Sequence, residues 1–186
     1  MQPEDKQLID QYLRGNTAAL EELVKRYQDK VVGFFFRLCW DRFTAEDLAQ
    51  ESFIKAIQSI SGKTEGPPFS IMLFRIARLQ WFNFLRKKYR SPRTQGMIEE
   101  YESFIRVDDE EFDPEERESK KEQIRRMLAA VEHLPEEQRI VVEMCYFLEV
   151  PYKEIAEILE IPVGTVKSRL NTAITRLRGH MQREDI

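Results

Sequence analysis

The sequence predicts an all-α fold: two helical domains joined by an acidic linker, the second domain a helix-turn-helix. Three observations predict it. Apolar residues recur at intervals of three and four, with no strand-like alternation and no internal repeat. Seven glycines in 186 residues are too few for a turn-rich β architecture. Charge is also segregated along the chain. Residues 66–98 carry seven basic side chains and no acid, 99–118 carry eleven acids against Arg106 and Arg117, and 161–183 carry five basic side chains and no acid.

Each element follows from local chemistry. Asn16 is placed to cap a helix whose apolar stripe is Leu20, Leu23, Val24, Tyr27, Val31 and Val32. Thr44 is expected to open the next helix, with Asp47 three residues on in a weak capping-box pattern. Leu48, Ala49, Phe53, Ala56, Ile57 and Ile60 form its buried face. Gly62, Gly66, Pro67 and Pro68 break the chain. Ile71 to Lys88 is a dense apolar and basic helix, ended by Ser91-Pro92. Residues 91–118, with SPRTQG and DDEEFDPEE, read as a linker in which Met97, Ile98, Tyr101, Phe104 and Ile105 can form short anchors. A free coil of that length spans roughly 30 Å r.m.s.. Helix resumes with Ile124, Met127, Leu128 and Val131, and Pro135 starts another carrying Ile140, Val141, Met144 and Phe147. Pro151 to Leu159, a tight turn, and Val163 to Met181 complete the chain. The domains so delimited are 1–90 and 119–186.

Composition excludes several classes. An apolar share of 42% supports a core, and a net charge of −4 excludes a uniformly basic coat for nucleic acid. Two cysteines, Cys39 and Cys145, exclude a disulfide scaffold and a four-cysteine zinc site; both read as small core residues in a reducing compartment. The opening MQPEDKQLID does not read as a signal peptide, and no apolar run approaches the about 20 residues of a membrane span, so neither is expected. The expected location is cytoplasmic. There is no GxxxxGK, no HExxH and no Cys/His cluster, and His133 and His180 read as isolated surface or helix-end histidines. An enzyme is not expected, nor is a metal or cofactor.

Residues 152–178, YKEIAEILEIPVGTVKSRLNTAITRLR, carry the most information. Ile155, Ile158 and Leu159 line one helix, and Ala156 is small where a second helix would cross. Glu160-Ile161-Pro162 turns the chain, and Val166 and Leu170 are the apolar positions of the second helix. That helix presents Thr165, Lys167, Ser168, Arg169, Thr172 and Arg176. Its N-terminus offers free N–H groups to a phosphate, Arg can bond guanine bidentately, and Ser or Thr can bond bases or backbone. On these residues, LPEEQRIVVEMCYFLEVPYKEIAEILEIPVGTVKSRL (134–170) resembles the promoter-binding region 4 of bacterial sigma factors, above all the small extracytoplasmic-function (ECF) group.

The N-terminal half supports the same resemblance. Asp47, Gln50, Glu51, Ile54, Lys55 and Gln58 share a helix face opposite Ala49, Phe53 and Ala56; for Asp47 a capping role is a strong alternative. TAEDLAQESFIKAIQ (44–58) is similar to sigma region 2.2, DxxQExF, which docks on the clamp helices of the polymerase β′ subunit. The resemblance gives that role to Asp47, Gln50 and Glu51, with Ile54 and Lys55 on the same face. In IMLFRIARLQWFNFLRKK (71–88), Arg75, Arg78, Phe82 and Arg86 fall in one quadrant of a helix. A basic row with an interleaved aromatic can follow a phosphate backbone and support an unstacked base. FRIAR (74–78) resembles regions 2.3 and 2.4, which hold the melted −10 element. Met72, Leu79 and Asn83 stand where that pattern usually has Trp, Asn and Asp; Trp81 and Phe84 read as core.

The resemblance implies an RNA polymerase sigma factor, not an enzyme, that initiates transcription at promoters through core polymerase, the melted −10 strand and the −35 duplex. It implies regions 2 and 4 without regions 1.1 or 3. The β flap is a further implied polymerase contact, and an anti-sigma factor is an implied partner, with possible recruitment to the inner membrane surface. The acidic linker would thread toward the RNA exit path, as an imitation of RNA or as a spacer. The competing reading is a stand-alone helix-turn-helix regulator of duplex DNA, which leaves the 44–58 face and the basic–aromatic row unexplained.

Overall fold

The structure, a computed structural model, describes residues 3–60, 66–90 and 130–184. Those residues are helical, with no strand among them. Helices α1 (Asp5–Leu13), α2 (Thr17–Cys39), α3 (Arg42–Ser59) and α4 (Phe69–Arg90) come first. Helix α5 (Glu136–Val142) runs into a π-helical turn (Glu143–Phe147), and α6 (Tyr152–Leu159) and α7 (Val163–Glu184) follow. The chain divides into two compact units, one holding α1 to α4 and the other holding α5, the start of α6, and α7. The all-α, two-domain expectation holds.

In the first unit, α2 packs against α1, α3 and α4, and α3 against α4. Asn16 caps α2 as its side chain accepts from Ala18 N at 3.1 Å. The start of α3 differs from the expectation at Thr44. Asp41 caps it, accepting from Phe43 N at 3.1 Å, and the Thr44 hydroxyl donates to the second Asp41 oxygen. The cap is therefore three residues earlier: the Asp41 carboxylate accepts from a first-turn amide, so the helix starts there and Thr44 falls inside its first turn. Asp47, freed of any capping role, is exposed on α3.

The core of this unit is aromatic. Phe34 and Phe35 are fully buried, and Phe34 meets Phe74 of α4 edge to face with centroids 6.0 Å apart. Trp81 is buried, as expected; Phe84, expected in the core as well, is only half-buried, stacked on Trp81 at 5.4 Å at the edge of the core. Helix α1, which the apolar pattern did not signal, is tied to α2 by polar contacts. Arg26 Nη1 donates to Asp5 Oδ1 at 2.7 Å, and Tyr27 Oη to Asp5 Oδ2 at 2.5 Å. Burial, and then the Asp5 carboxylate, push the Tyr27 phenol above its ordinary pKa, which keeps the donor proton in place.

In the second unit, α5 packs against α7, over Ile140, Val141 and Met144, which are buried as expected. Phe147 is not: it is 39% exposed. The π turn, closed by Leu148 N donating to Glu143 O, holds more residues per turn, so Phe147 lags behind the α-helical stripe and faces outward. The C-terminus of α6 is a Schellman motif. Glu160 is left-handed at φ 56°, and Ile161 N donates to Ala156 O at 3.0 Å. Ile155, Ala156, Val166 and Leu170 are buried, as a helix-turn-helix requires.

The break at Gly62, the Ser91-Pro92 stop, the 91–118 linker with its five anchors, and Ile124, Met127 and Leu128 lie outside the described residues.

Candidate nucleic-acid and partner interfaces

Helix α3 carries one candidate face. Asp47, Gln50, Glu51, Ile54, Lys55 and Gln58 are all exposed, while Ala45, Leu48, Ala49, Ser52, Phe53 and Ala56 are buried. The expected division of the helix holds. Ile54 is 48% exposed, an apolar residue inside a charged face. Such a face, polar with one apolar contact, is suited to a protein partner. Phe43, in the first turn of α3, is 76% exposed, and nothing in the helical pattern singled it out.

Helix α4 carries the second candidate face. Arg75, Arg78, Phe82 and Arg86 follow one side at spacings of three and four. Arg86 Nη2 donates to Asn83 Oδ1 at 2.6 Å, so Asn83 serves to orient a row arginine. Lys88 sits 5.7 Å over the Phe84 ring. Leu79, standing where the resemblance has Asn, is exposed. A cleft of about 450 Å³ between α3 and α4 brings the two candidate sets together: Asp47, Glu51 and Lys55 on one wall, Asn83 and Arg86 on the other.

Gln80 of α4 also lines this cleft and escaped the sequence reading. It donates from Nε2 to Glu51 Oε2 at 2.5 Å and accepts from Lys55 Nζ at 2.5 Å. No local pattern could have revealed it, since its partners are on another helix.

The third candidate face lies on α7 between Thr165 and Arg176. Lys167, Ser168, Thr172 and Arg176 are exposed, and Thr165 and Arg169 half-buried. The hydroxyls of Ser168 and Thr172 donate back to the carbonyls of Thr165 and Ser168 at 3.0 and 2.9 Å. Their oxygens keep accepting capacity, and the protons can rotate to other partners. Arg169 forms an ion pair with Glu137 of α5 at 2.5 Å, and Arg176 Nη1 donates to Gln138 Oε1 at 3.3 Å. Helix α5 thus contacts two of the basic side chains. Within this unit's π turn, Tyr146 is 57% exposed, an aromatic that helical spacing did not mark.

Two sequence expectations are corrected. His133 and His180 are not isolated: their rings lie 4.9 Å apart, because α7 runs back past the chain segment ahead of α5. Cys145 is half-buried rather than core, since it falls in the π turn, where the shifted register takes it off the buried stripe of Ile140, Val141 and Met144. Cys145, first of several causes, raises the Tyr152 phenol. Cys39 is buried as expected; burial pushes its thiol up to about 11. Among the described residues no group of three or more His, Cys, Asp or Glu is placed to hold a metal, and no helix is long and apolar enough to cross a membrane.

A two-domain helical protein with a charged helix face in one domain and a basic helix-turn-helix in the other is the architecture of a DNA-binding transcription protein. Comparison with known proteins identifies which one. Residues 23–91 match the family model for sigma-70 region 2, and residues 124–177 that for sigma-70 region 4. The chain is 31% identical to RNA polymerase sigma-H factor of Pseudomonas aeruginosa over 172 residues, 91% of this chain and 89% of the relative. It is 31% identical to ECF RNA polymerase sigma-E factor of Haemophilus influenzae, over 96% of this chain and 95% of the relative. It is also 31% identical to ECF RNA polymerase sigma factor SigW of Bacillus subtilis, over 95% and 96%. The chain belongs to the sigma-70 family and is a sigma factor of its ECF group, with regions 2 and 4, acting in transcription initiation. That family comprises transcription factors rather than catalysts.

Solved structures agree on the fold. CnrH in complex with the cytosolic domain of CnrY superposes with a TM-score of 0.69 at 19% identity, covering 96% of this chain and 97% of that one. Sigma factor RpoE of Bartonella quintana, in complex with the anti-sigma factor NepR, gives 0.63 at 19% identity, covering 88% and 96%.

Proposed function

We propose that this sigma factor divides promoter recognition among the three helix faces. The face of α3, with Asp47, Gln50, Glu51, Ile54 and Lys55, docks on the clamp helices of the polymerase β′ subunit. The row on α4, with Arg75, Arg78, Phe82, Asn83 and Arg86, holds the melted −10 strand. The α7 face, with Thr165, Lys167, Ser168, Arg169, Thr172 and Arg176, enters the major groove of the −35 duplex, while its domain also meets the β flap. The domains extend over 1–90 and 119–186, with 91–118 as a linker toward the RNA exit path. Phosphate contacts supply most of the affinity, and base contacts the specificity.

The observation that carries this reading is that Asp47, Gln50, Glu51, Ile54 and Lys55 are all exposed on a helix whose opposite side is buried. A charged face around one apolar residue has the chemistry of a protein contact, and a stand-alone regulator would have no use for it. Both structural neighbours were solved bound to a partner, in one case a named anti-sigma factor, which supports a similar partner for this chain. The protein then acts in the cytoplasm, and such a partner can hold it at the inner membrane surface.

The test is complex formation with bacterial core RNA polymerase. A tight complex is expected, weakened about tenfold by Glu51→Ala and less by Gln50→Ala. Absence of a complex, with duplex DNA bound by the protein alone, would overturn the reading in favour of a stand-alone regulator.

A further inference from the structure

We propose that Gln80 is a positioning residue for the polymerase-facing side of α3; the inference rests on the assignment of that face to core polymerase. Gln80 is 4% exposed, on the side of α4 that meets α3. A buried glutamine needs partners at both ends of its amide. Its Nε2 donates to Glu51 Oε2, and its Oε1 accepts from Lys55 Nζ. A carboxylate only accepts and an ammonium only donates, so these partners dictate which way the amide points.

Other side chains fail at this position for definite reasons. A glutamate would face Glu51 with like charge, and a lysine would face Lys55 likewise. A methionine fills the space but bonds neither group, and an asparagine is one methylene short. Glu51 and Lys55 stand one turn apart on α3 and are exposed. Held by Gln80, they meet a partner in one arrangement, and less side-chain entropy is lost on docking. The bridge also anchors both residues to α4, the helix that carries Arg75, Arg78, Phe82 and Arg86.

The experiment titrates core RNA polymerase with the full chain, and records thermal midpoints alongside. The variants are Gln80→Met, Gln80→Glu, the pair Glu51→Ala/Lys55→Ala, and that pair combined with each Gln80 change. Gln80→Met is expected to weaken core binding about three- to tenfold in the wild-type background and to change nothing further in the paired background. Gln80→Glu is expected to lose more at low salt, with the excess fading as salt screens its repulsion of Glu51. No loss, or an equal loss in both backgrounds, would overturn the positioning role. Should Gln80→Met fail to fold, the salt series of Gln80→Glu in the two backgrounds decides alone. If Glu51→Ala/Lys55→Ala leaves core binding intact, the assignment of the face fails and the role of Gln80 falls with it; loss with that pair but none with Gln80→Met removes only the role of Gln80.

Discussion

Arg169 shows how one side chain can be committed twice. It pairs with Glu137 at 2.5 Å, with side chains 25% and 61% exposed. A partly exposed pair contributes about 0–1 kcal/mol, and salt weakens it. A phosphate or guanine can therefore compete for the guanidinium. Glu137→Gln frees Arg169 and removes a negative charge beside the helix proposed to face DNA. It is expected to tighten binding of a −35 duplex by the polymerase complex about two- to fivefold at low salt, and less at high salt. Fluorescence anisotropy measures this, and weaker binding would mean that Glu137 orients Arg169 for DNA rather than competing with it. At this scale the sequence identified Arg169 from the helix-turn-helix pattern and left Glu137 and Gln80 unseen. Periodicity reports neighbours on one helix, whereas both pairs cross between helices.

Among the elements, the contest between Thr44 and Asp41 bears on function, because the start of α3 sets the direction of the side proposed to meet polymerase. Asp41→Ala removes the acceptor for Phe43 N and is expected to cost about 1 kcal/mol. In a domain of this size that lowers the midpoint by roughly 4–8 °C. Thr44→Ala leaves the Asp41–Phe43 bond intact and is expected to cost less; equal losses in thermal melts would restore Thr44 as the functional cap. The sequence favoured Thr44 because a capping box was visible there, while Asp41 sits directly after a left-handed Trp40 that no pattern announces. Helix α1 escaped for a different reason. It buries only Leu8, so its apolar stripe is too thin to register, and polar contacts of Asp5 hold it instead. The π turn escaped because i−5 bonding, not composition, shifts the register and turns Phe147 outward.

Across the whole molecule, the helical class, the two domains and the helix-turn-helix were legible, since each depends on repeated spacing over many residues. The faces were legible wherever burial divides a helix cleanly, as on α3. The cleft joining the α3 and α4 sets was not, because it is made by packing. A sigma factor with the faces proposed here binds promoters only as part of polymerase, with α3 on core and α4 and α7 on DNA. Transcription of genomic fragments by core polymerase, with and without the protein, tests that directly. Discrete start sites should arise only with the protein and be lost with Glu51→Ala through core binding and with Arg169→Ala through promoter binding. Start sites that are the same with and without the protein, or that survive both substitutions, would contradict the account.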